Sequence, residues 1–351
     1  MKLNINFYIL LLASIVIFTD SACDRQRKSA GTCIAFYNLE NLFDTINQAN
    51  VTDEEFTADG KKEWTPDRYL EKLDHMARVI HQIGLSETNP DGASLLGVCE
   101  LENAGVMEDL ANTEILKERN YEYVHYDSPY YRGMDVGLFY QPEYFTVLSS
   151  SSHELNMPDM ENFTTRAQLL VSGILNKDTV HVIVNHWPSR RGGEEGSRPL
   201  RIAAAKLCRS IVDSIFNIDP TAKIIVMGDL NDDPADVSIK KYLNTSNDQG
   251  SLKEYQFFNP FENMHEPDSI GTLTYRGKWN LFDQILVSPS LTKKGSSSYA
   301  FREAGIFKKD YLIQQDGKYK GSPFRTYSYD NYISGYSDHL PVYIYLEKKC
   351  N

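Results

Sequence analysis

Residues 223–232 read KIIVMGDLND: an apolar strand that runs directly into Gly228, Asp229, Leu230, Asn231 and Asp232. A carboxylate at the end of a core strand is unfavourable unless it is paired or bound to a cation. The same layout recurs along the chain. Asn38 and Glu40 follow IAFY, Glu100 follows LLGVC, His186 follows VIVN, Asp283 interrupts LFDQILV, and Asp338 with His339 precedes LPVYIYL. Taken singly, each is a turn residue or a cap. Repeated at so many strand ends, they ask for one common explanation.

Working outward, short apolar runs predict strands over 32–37, 94–99, 121–126, 135–140, 144–148, 166–174, 179–185, 223–227, 281–287 and 341–346. Two helices separate them clearly. Thr65 and Pro66 supply an N-cap and a first-turn proline for a helix that carries Tyr69, Leu70, Leu73, Met76, Ala77, Ile80 and Ile83 at helical spacing and closes at Gly84. A second helix is predicted over 199–217 on the stripe Leu200, Ala203, Ala204, Leu207, Ile211 and Ile215, and a weaker third over 106–119. Strands alternating with helices and no internal repeat describe one layered α/β (α+β) domain, with 41–64, 246–278 and 308–336 as insertions upon it.

The 351 residues suffice for a real core, and a hydrophobic share of 41% with 24% charged residues is ordinary globular usage, which excludes wholesale disorder and a membrane bundle. A net charge of -12 argues against coating nucleic acid by unspecific electrostatics, which needs many phosphate-neutralising cations. It leaves open an enzyme that meets phosphate at one small site where a metal supplies the positive charge.

Residues 1–22 read as an export signal: Lys2, the apolar run Phe7–Phe18, then Asp20, Ser21 and Ala22. The run is short for a membrane span. Two processing routes stay open, a cut after Ala22 or a lipid anchor on Cys23, for which Asp20 is a poor fit; a retained, uncleaved anchor is the third alternative. All three make the protein exported, as a periplasmic or extracellular enzyme or an outer-membrane lipoprotein. A polar tether over 23–31 then leads to a catalytic domain over 32–351. Of the remaining cysteines, Cys99 and Cys208 read as buried thiols, while Cys33 and Cys350 flank the domain; none has zinc-site spacing.

Asn, Glu, several Asp and two His at strand ends make an oxygen-rich set, which suits Mg2+ or Mn2+ better than zinc. Phosphoryl cleavage needs positive charge at the phosphorus, a base for the attacking water and stabilisation of the leaving oxygen. The inventory matches that chemistry. Nothing supports a serine hydrolase: Ser337, Asp338 and His339 are adjacent on an extended chain, and no Gly-x-Ser-x-Gly elbow occurs.

In their order along the chain, Tyr37-Asn38, Glu100, NHWPS around His186, GDLND from Gly228, Asp283 in LFDQILVS and SDHLP from Ser337 resemble the motifs of the endonuclease/exonuclease/phosphatase superfamily. Each is weak alone; the ordered set, spanning about 32–346, is specific. The resemblance implies a four-layer α/β/β/α sandwich, two mixed β-sheets face to face with helices outside, and a site at one end. It implies Glu100 as the principal metal ligand, supported by Asn38 and Asp338, with Glu40 standing near the metal. His339 is implied as the base or phosphate-contacting imidazole oriented by Asp283. Asp229 and Asn231 are implied to position water and phosphate, and His186 to bind a phosphate oxygen. First and last strands adjoin in that fold, which implies a Cys33–Cys350 disulfide.

For the substrate, the segment SRRGGEEGSRPLR places Arg190, Arg191, Arg198 and Arg201 just after His186 and resembles a stretch of secreted bacterial nucleases in this superfamily. Arg132, beside Tyr130 and Tyr131, resembles the family's phosphate-facing arginine. These features favour an exported nuclease with nucleic acid as its partner, and no stable protein partner is indicated. The alternatives are a phosphatase or phospholipase-like enzyme acting on inositol phosphates or lipid headgroups and, from another class, an inactive binding module.

Overall fold

A computed structural model describes residues 31–266, 269–293 and 298–348. Residues 1–22, expected to be an export signal, lie outside the described residues with Cys23 and Cys350, and so does the pairing expected between Cys33 and Cys350. Cys33 itself is buried, close against Gly84.

Seventeen strands and three α-helices follow in chain order. One mixed sheet contains β1 (Thr32–Leu42), β2 (Ala93–Leu101), β3 (Glu122–His125), β4 (Asp135–Tyr140), β14 (Ala300–Ile306) and β17 (Val342–Glu347), in the order β14-β17-β1-β2-β4-β3. The second contains β5 (Phe145–His153), β6 (Gln168–Leu175), β7 (Asp178–His186), β8 (Lys223–Asp229), β9 (Thr245–Ser246), β10 (Phe257–Phe258) and β13 (Asp283–Val287), in the order β5-β6-β7-β8-β13-β10-β9. Two small hairpins, β11–β12 (Leu273–Tyr275 and Lys278–Asn280) and β15–β16 (Tyr327–Ser328 and Asn331–Tyr332), lie outside these sheets. β1 pairs antiparallel with β17, with Thr32 opposite Leu346, as the expected neighbouring of first and last strands requires.

Side-chain alternation along each strand sorts the core into three layers. In β1, Cys33, Ala35 and Tyr37 face α1 (Pro66–Gln82), while Ile34 and Phe36 join Leu95, Val182, Met227 and Ile285 between the sheets. Short α2 (Ala104–Ala111) packs beside α1, and α3 (Glu194–Ile218) covers the far face of the second sheet through Ile183, Ile224 and Val226. The result is the α/β/β/α sandwich. Gly97 allows the sheets to approach, since a Cβ there would come 2.4 Å from Met227 Sδ.

The expected helices need adjustment at three ends. Thr65 caps α1 as read, its hydroxyl accepting from Arg68 N at 3.4 Å. α2 is capped by Asn103 and stops at Ala111, short of the expected Arg119. α3 begins at Glu194, five residues before Pro199, which the helix carries near its start. β14 forms where no strand was expected.

Candidate active site

The inter-sheet parity of the strands builds the site. Ile34 and Phe36 lead to Asn38; Val182 and Val184 lead to His186; Ile225 and Met227 lead to Asp229; and Asp283 precedes Ile285 and Val287. Each polar residue thus occupies the next place on the face that fills the inter-sheet core, and together they close one end of it. Strand register aligns them: His186 is opposite Asp229, and Asp229 is opposite Asp283.

Glu100 reaches this cluster by a different route. Parity would set it on the same face as Leu96 and Val98, toward the helices. An irregularity between Cys99 and Leu101 and a left-handed φ of 59° at Glu100 re-aim its side chain. Glu40 and Asn41, at φ 48° and 52°, form a matching irregularity in β1. Left-handed backbone at non-glycine residues is costly, and here it accumulates around one carboxylate.

Hydrogen bonds tie the cluster together. Asn38 Nδ2 donates to Glu100 Oε1 at 3.2 Å and to Asp229 Oδ2 at 3.1 Å, while its Oδ1 accepts from Glu40 N at 2.9 Å. In this arrangement Asn38 offers the carboxylates a nitrogen, which cannot ligate a cation, so it bridges them. Asn41 N donates to Glu100 Oε2 at 3.0 Å, and Arg132 Nη2 donates to Asn41 Oδ1 at 3.2 Å. Asn231 N caps Asp229 Oδ1 at 3.0 Å. His339 Nδ1 is bound to Asp283 Oδ2 at 2.7 Å, and Ser337 Oγ accepts from His339 N at 3.1 Å while donating to Asn38 O at 2.7 Å.

Burial and charge set the protonation tendencies. Burial pushes Asp229 up to about 7, with Asp283 and Glu100 adding to the effect and His339 opposing it. Burial opposes charging of His339, yet Asp283, Asp229 and Asp338 overcome it and hold the imidazole well above its usual range. His186 lies well below its usual range, through burial first and then the cations Arg166, His339 and Arg132. One imidazole is therefore disposed to be charged and the other neutral.

The donor set fits a divalent cation. His186 Nε2 faces Glu100 Oε1 at 3.9 Å and Asp229 Oδ2 at 3.6 Å, and His339 Nε2 faces Asp229 Oδ2 at 3.9 Å. These separations are too long for hydrogen bonds, and His186 Nε2 lies between the two carboxylates. His186 Nδ1 and Asp283 Oδ1 are buried with no hydrogen-bond partner among the described residues. Cys99, His186 and Asp229, and separately Asp229, Asp283 and His339, hold potential ligand atoms within 4.8 Å of one another.

The remaining expected residues divide. Glu40 and Asp338 line an adjoining cavity of about 240 Å³ with Arg325 and three tyrosines. There Glu40 Oε2 accepts from Thr326 N at 2.7 Å, and Asp338 Oδ2 accepts from Arg325 at 3.3 Å. Burial and Asp338 push Glu40 up to about 7. Arg201 must be corrected: it is wholly buried, its Nε held by Asp232 Oδ1 at 2.5 Å, and so cannot meet substrate phosphate. Arg190 is also spent internally, on Asp232, Asp233, Asp236 and Glu194. Arg191 is exposed, its guanidinium donating to Tyr131 Oη at 3.3 Å; among the described residues it makes no ion pair, although Glu54 and Glu55 line the same depression.

Three participants escaped the sequence reading. Ser337 lay inside the quoted SDHLP motif but was given no role. Arg166, 6% exposed, leads an apolar strand, and the argument that singled out strand-end carboxylates applies to it equally. Lys72, 1% exposed, donates to Thr326 Oγ1 and Tyr336 O, both at 2.5 Å, and so holds the 326–336 loop beside Glu40; its helical spacing gave no signal.

Two sheets closed at one end by carboxylates, an asparagine and an Asp-held histidine define a metal-dependent phosphoesterase architecture. A family model described as the endonuclease/exonuclease/phosphatase family matches residues 33–348, and the chain belongs to that family. Its members are metal-dependent phosphoesterase hydrolases. Among solved structures, a humanised D. rerio TDP2 is 14% identical, with 91% of this chain and 99% of that chain covered and a TM-score of 0.55. A family protein from Bacteroides thetaiotaomicron is 15% identical, covering 92% of this chain and 100% of its own, at a TM-score of 0.53. D. rerio TDP2 complexed with a single-strand DNA product is 14% identical, covering 90% and 99%, at 0.52. At such identities these similarities establish the fold. No curated protein shows significant sequence similarity to the chain.

Proposed function

We propose that this protein is an exported phosphodiesterase that hydrolyses nucleic acid, DNA in the first instance, with Mg2+ or Mn2+. The observation that carries the reading is the convergence of Glu100, Asp229 and His186 beside an Asp283-held His339. A bound cation at Glu100 and its neighbours would supply positive charge to the phosphate and lower the cost of deprotonating water. With Nδ1 occupied by Asp283, His339 has only Nε2 to offer the cleft, and we assign it the contact to a phosphate oxygen. We assign His186 Nε2 a second such contact. Asp229, whose Oδ2 lies between both imidazoles, takes the proton of the attacking water, and Asn231 N fixes its carboxylate. Asn38 keeps Glu100 and Asp229 in register.

Nucleic acid is supported by the exposed Arg191 and by the D. rerio TDP2 structure, which carries a single-strand DNA product. Export rests on the apolar run 7–18, and an anchor, if one is attached, on Cys23. The test is hydrolysis of plasmid DNA, RNA, an inositol polyphosphate and a choline-headgroup lipid, with Mg2+, with Mn2+ and with chelator, alongside Glu100→Ala and His339→Ala. Metal-dependent loss of nucleic acid that vanishes in both variants is expected. Phosphate or headgroup release with intact nucleic acid overturns the substrate and keeps the site.

A further inference from the structure

Two cavities lie beside the loop that follows His186, and they share Ser189 and Arg191 as a common wall. The larger, about 660 Å³, is bounded by Arg191, Glu194, Tyr275, Arg276, Asn280 and Phe282. Arg190 lies on the same wall and donates to Asn231 O at 3.0 Å, which places this cavity beside the Asp229–Asn231 segment. The smaller, about 300 Å³, has Tyr130, Tyr131, Phe163 and Arg166 on its walls. A third depression of about 300 Å³ runs from Arg191 past Tyr131 to Arg132, toward Asn41 and Glu100; Glu54 and Glu55 also line it, and Glu55 pairs with Arg132 at 3.6 Å. Arg191 therefore stands where all three meet.

The two main cavities share a chemistry. Each combines exposed ring surface with a guanidinium: Tyr275 is 63% exposed with Arg276 over its ring at 5.2 Å, and Tyr131 is 46% exposed with Arg191 on its hydroxyl. Ring faces that are open to solvent stack on nucleobases whatever their identity, and an arginine between them that makes no ion pair among the described residues suits a phosphodiester. Arg190 and Arg201, one and ten places from Arg191 in the sequence, are both consumed by carboxylates, which leaves Arg191 as the one of these three without an ion pair among the described residues. The turn that presents it needs Gly192 and Gly193 at φ 84° and 105°, where a side chain would be strained.

We infer that this surface is a single-strand track: two successive unpaired nucleotides on one side of the scissile phosphate, one base in each cavity, with the linking phosphate on Arg191. A duplex cannot use it, because paired bases present only their groove edges and keep their faces stacked on each other. The inference rests on the nucleic-acid reading proposed above.

The test is binding of a fluorescein-labelled single-stranded oligonucleotide and of the same sequence as a blunt duplex, measured by anisotropy in chelator, for the wild type, Arg191→Ala and Tyr275→Ala. Thermal unfolding of each variant verifies folding; both side chains are exposed. The single strand is expected to bind more tightly than the duplex, and each substitution to weaken it about tenfold while leaving the duplex unaffected. Arg191→Ala is also expected to flatten the dependence of log Kd on log salt by about 0.7, the signature of one lost phosphate contact on a single strand. Equal affinity for single strand and duplex, or single-strand affinity unchanged in both variants, overturns the track. Wild-type cleavage of the oligonucleotide with Mn2+ is measured in parallel: cleavage with unchanged variant binding sinks this inference alone, whereas no cleavage of any nucleic acid sinks the proposed function and this inference with it.

Discussion

His339 Nδ1 and Asp283 Oδ2 lie 2.7 Å apart across 56 residues of chain, both buried at the end of the inter-sheet core. The carboxylate fixes which imidazole nitrogen is left to face the cleft. Asp283→Asn keeps the shape but offers either a neutral acceptor or a donor, and so loses both the tautomer and the charge. The expected result is a fall in kcat of about 10²–10⁴ with KM little changed and the melting temperature preserved. Steady-state kinetics on the wild type and variant measure it, and an unchanged kcat would remove the pair from the chemistry.

Glu100 is held in a left-handed conformation, and among the described residues only Asn38 and the Asn41 amide donate to it. If it is the principal cation ligand, adding Mg2+ or Mn2+ stabilises the wild type by about 2.7 kcal/mol at a hundredfold excess over Kd. Glu100→Gln should abolish that increment while the cation-free protein melts as before. Calorimetric melting with and without metal reads both quantities; an undiminished increment in the variant would place the cation elsewhere.

How far the site could be read from sequence depended on parity. Asn38, His186 and Asp229 continue the alternation of the apolar residues before them, so a strand pattern alone brings them to one end of one core. Glu100 breaks that alternation through its backbone irregularity, which no residue type in LLGVCEL announces; its place at a strand end and the order of motifs pointed to it, but not its aim. Arg201 failed for a related reason. The helix starts earlier than Pro199 suggested, and its buried face runs through Ser197, Arg201, Ala204, Ala205 and Cys208, rotated from the expected Leu200, Ala203 and Leu207 stripe. A cation on a polar segment is read as exposed until the helix phase is known.

That burial carries its own prediction. Arg201 and Asp232 are 0% and 2% exposed, and Arg201→Met leaves a buried carboxylate with less than its complement of donors. Removing one partner of such a pair costs about 3 kcal/mol. Urea unfolding should show the loss, with KM for oligonucleotide unchanged in the folded fraction. A raised KM at full stability would return Arg201 to substrate binding.

Glu102 gives a pH signature separate from catalysis. Its carboxyl is pushed up to about 8, by burial first, with Asp44 and Asp53 adding to the effect while the Asp44 amide opposes it. Glu102 Oε1 and Asp53 Oδ1 are both buried without a hydrogen-bond partner among the described residues. The folded value lies above the ordinary carboxyl value of about 4.3, so the stabilising contribution is complete below that pH and is lost as pH rises through about 8. Glu102→Gln has no proton to lose, and its amide can donate to Asp53. Melting temperatures measured from pH 4 to pH 9 should coincide at the acid end, with the variant higher by a few degrees at the alkaline end. Parallel curves would mean that Glu102 does not titrate in this window.

β1 enters the domain at Thr32 and reaches the site only at Asn38, six residues and about 20 Å further along the strand. Whatever is joined to the chain ahead of Thr32 is thus attached at the opposite end of the sandwich from the catalytic mouth. A molecule tethered to a surface by that end would present its opening to the surrounding fluid, free to take long polymers from solution while the surface itself stayed out of reach.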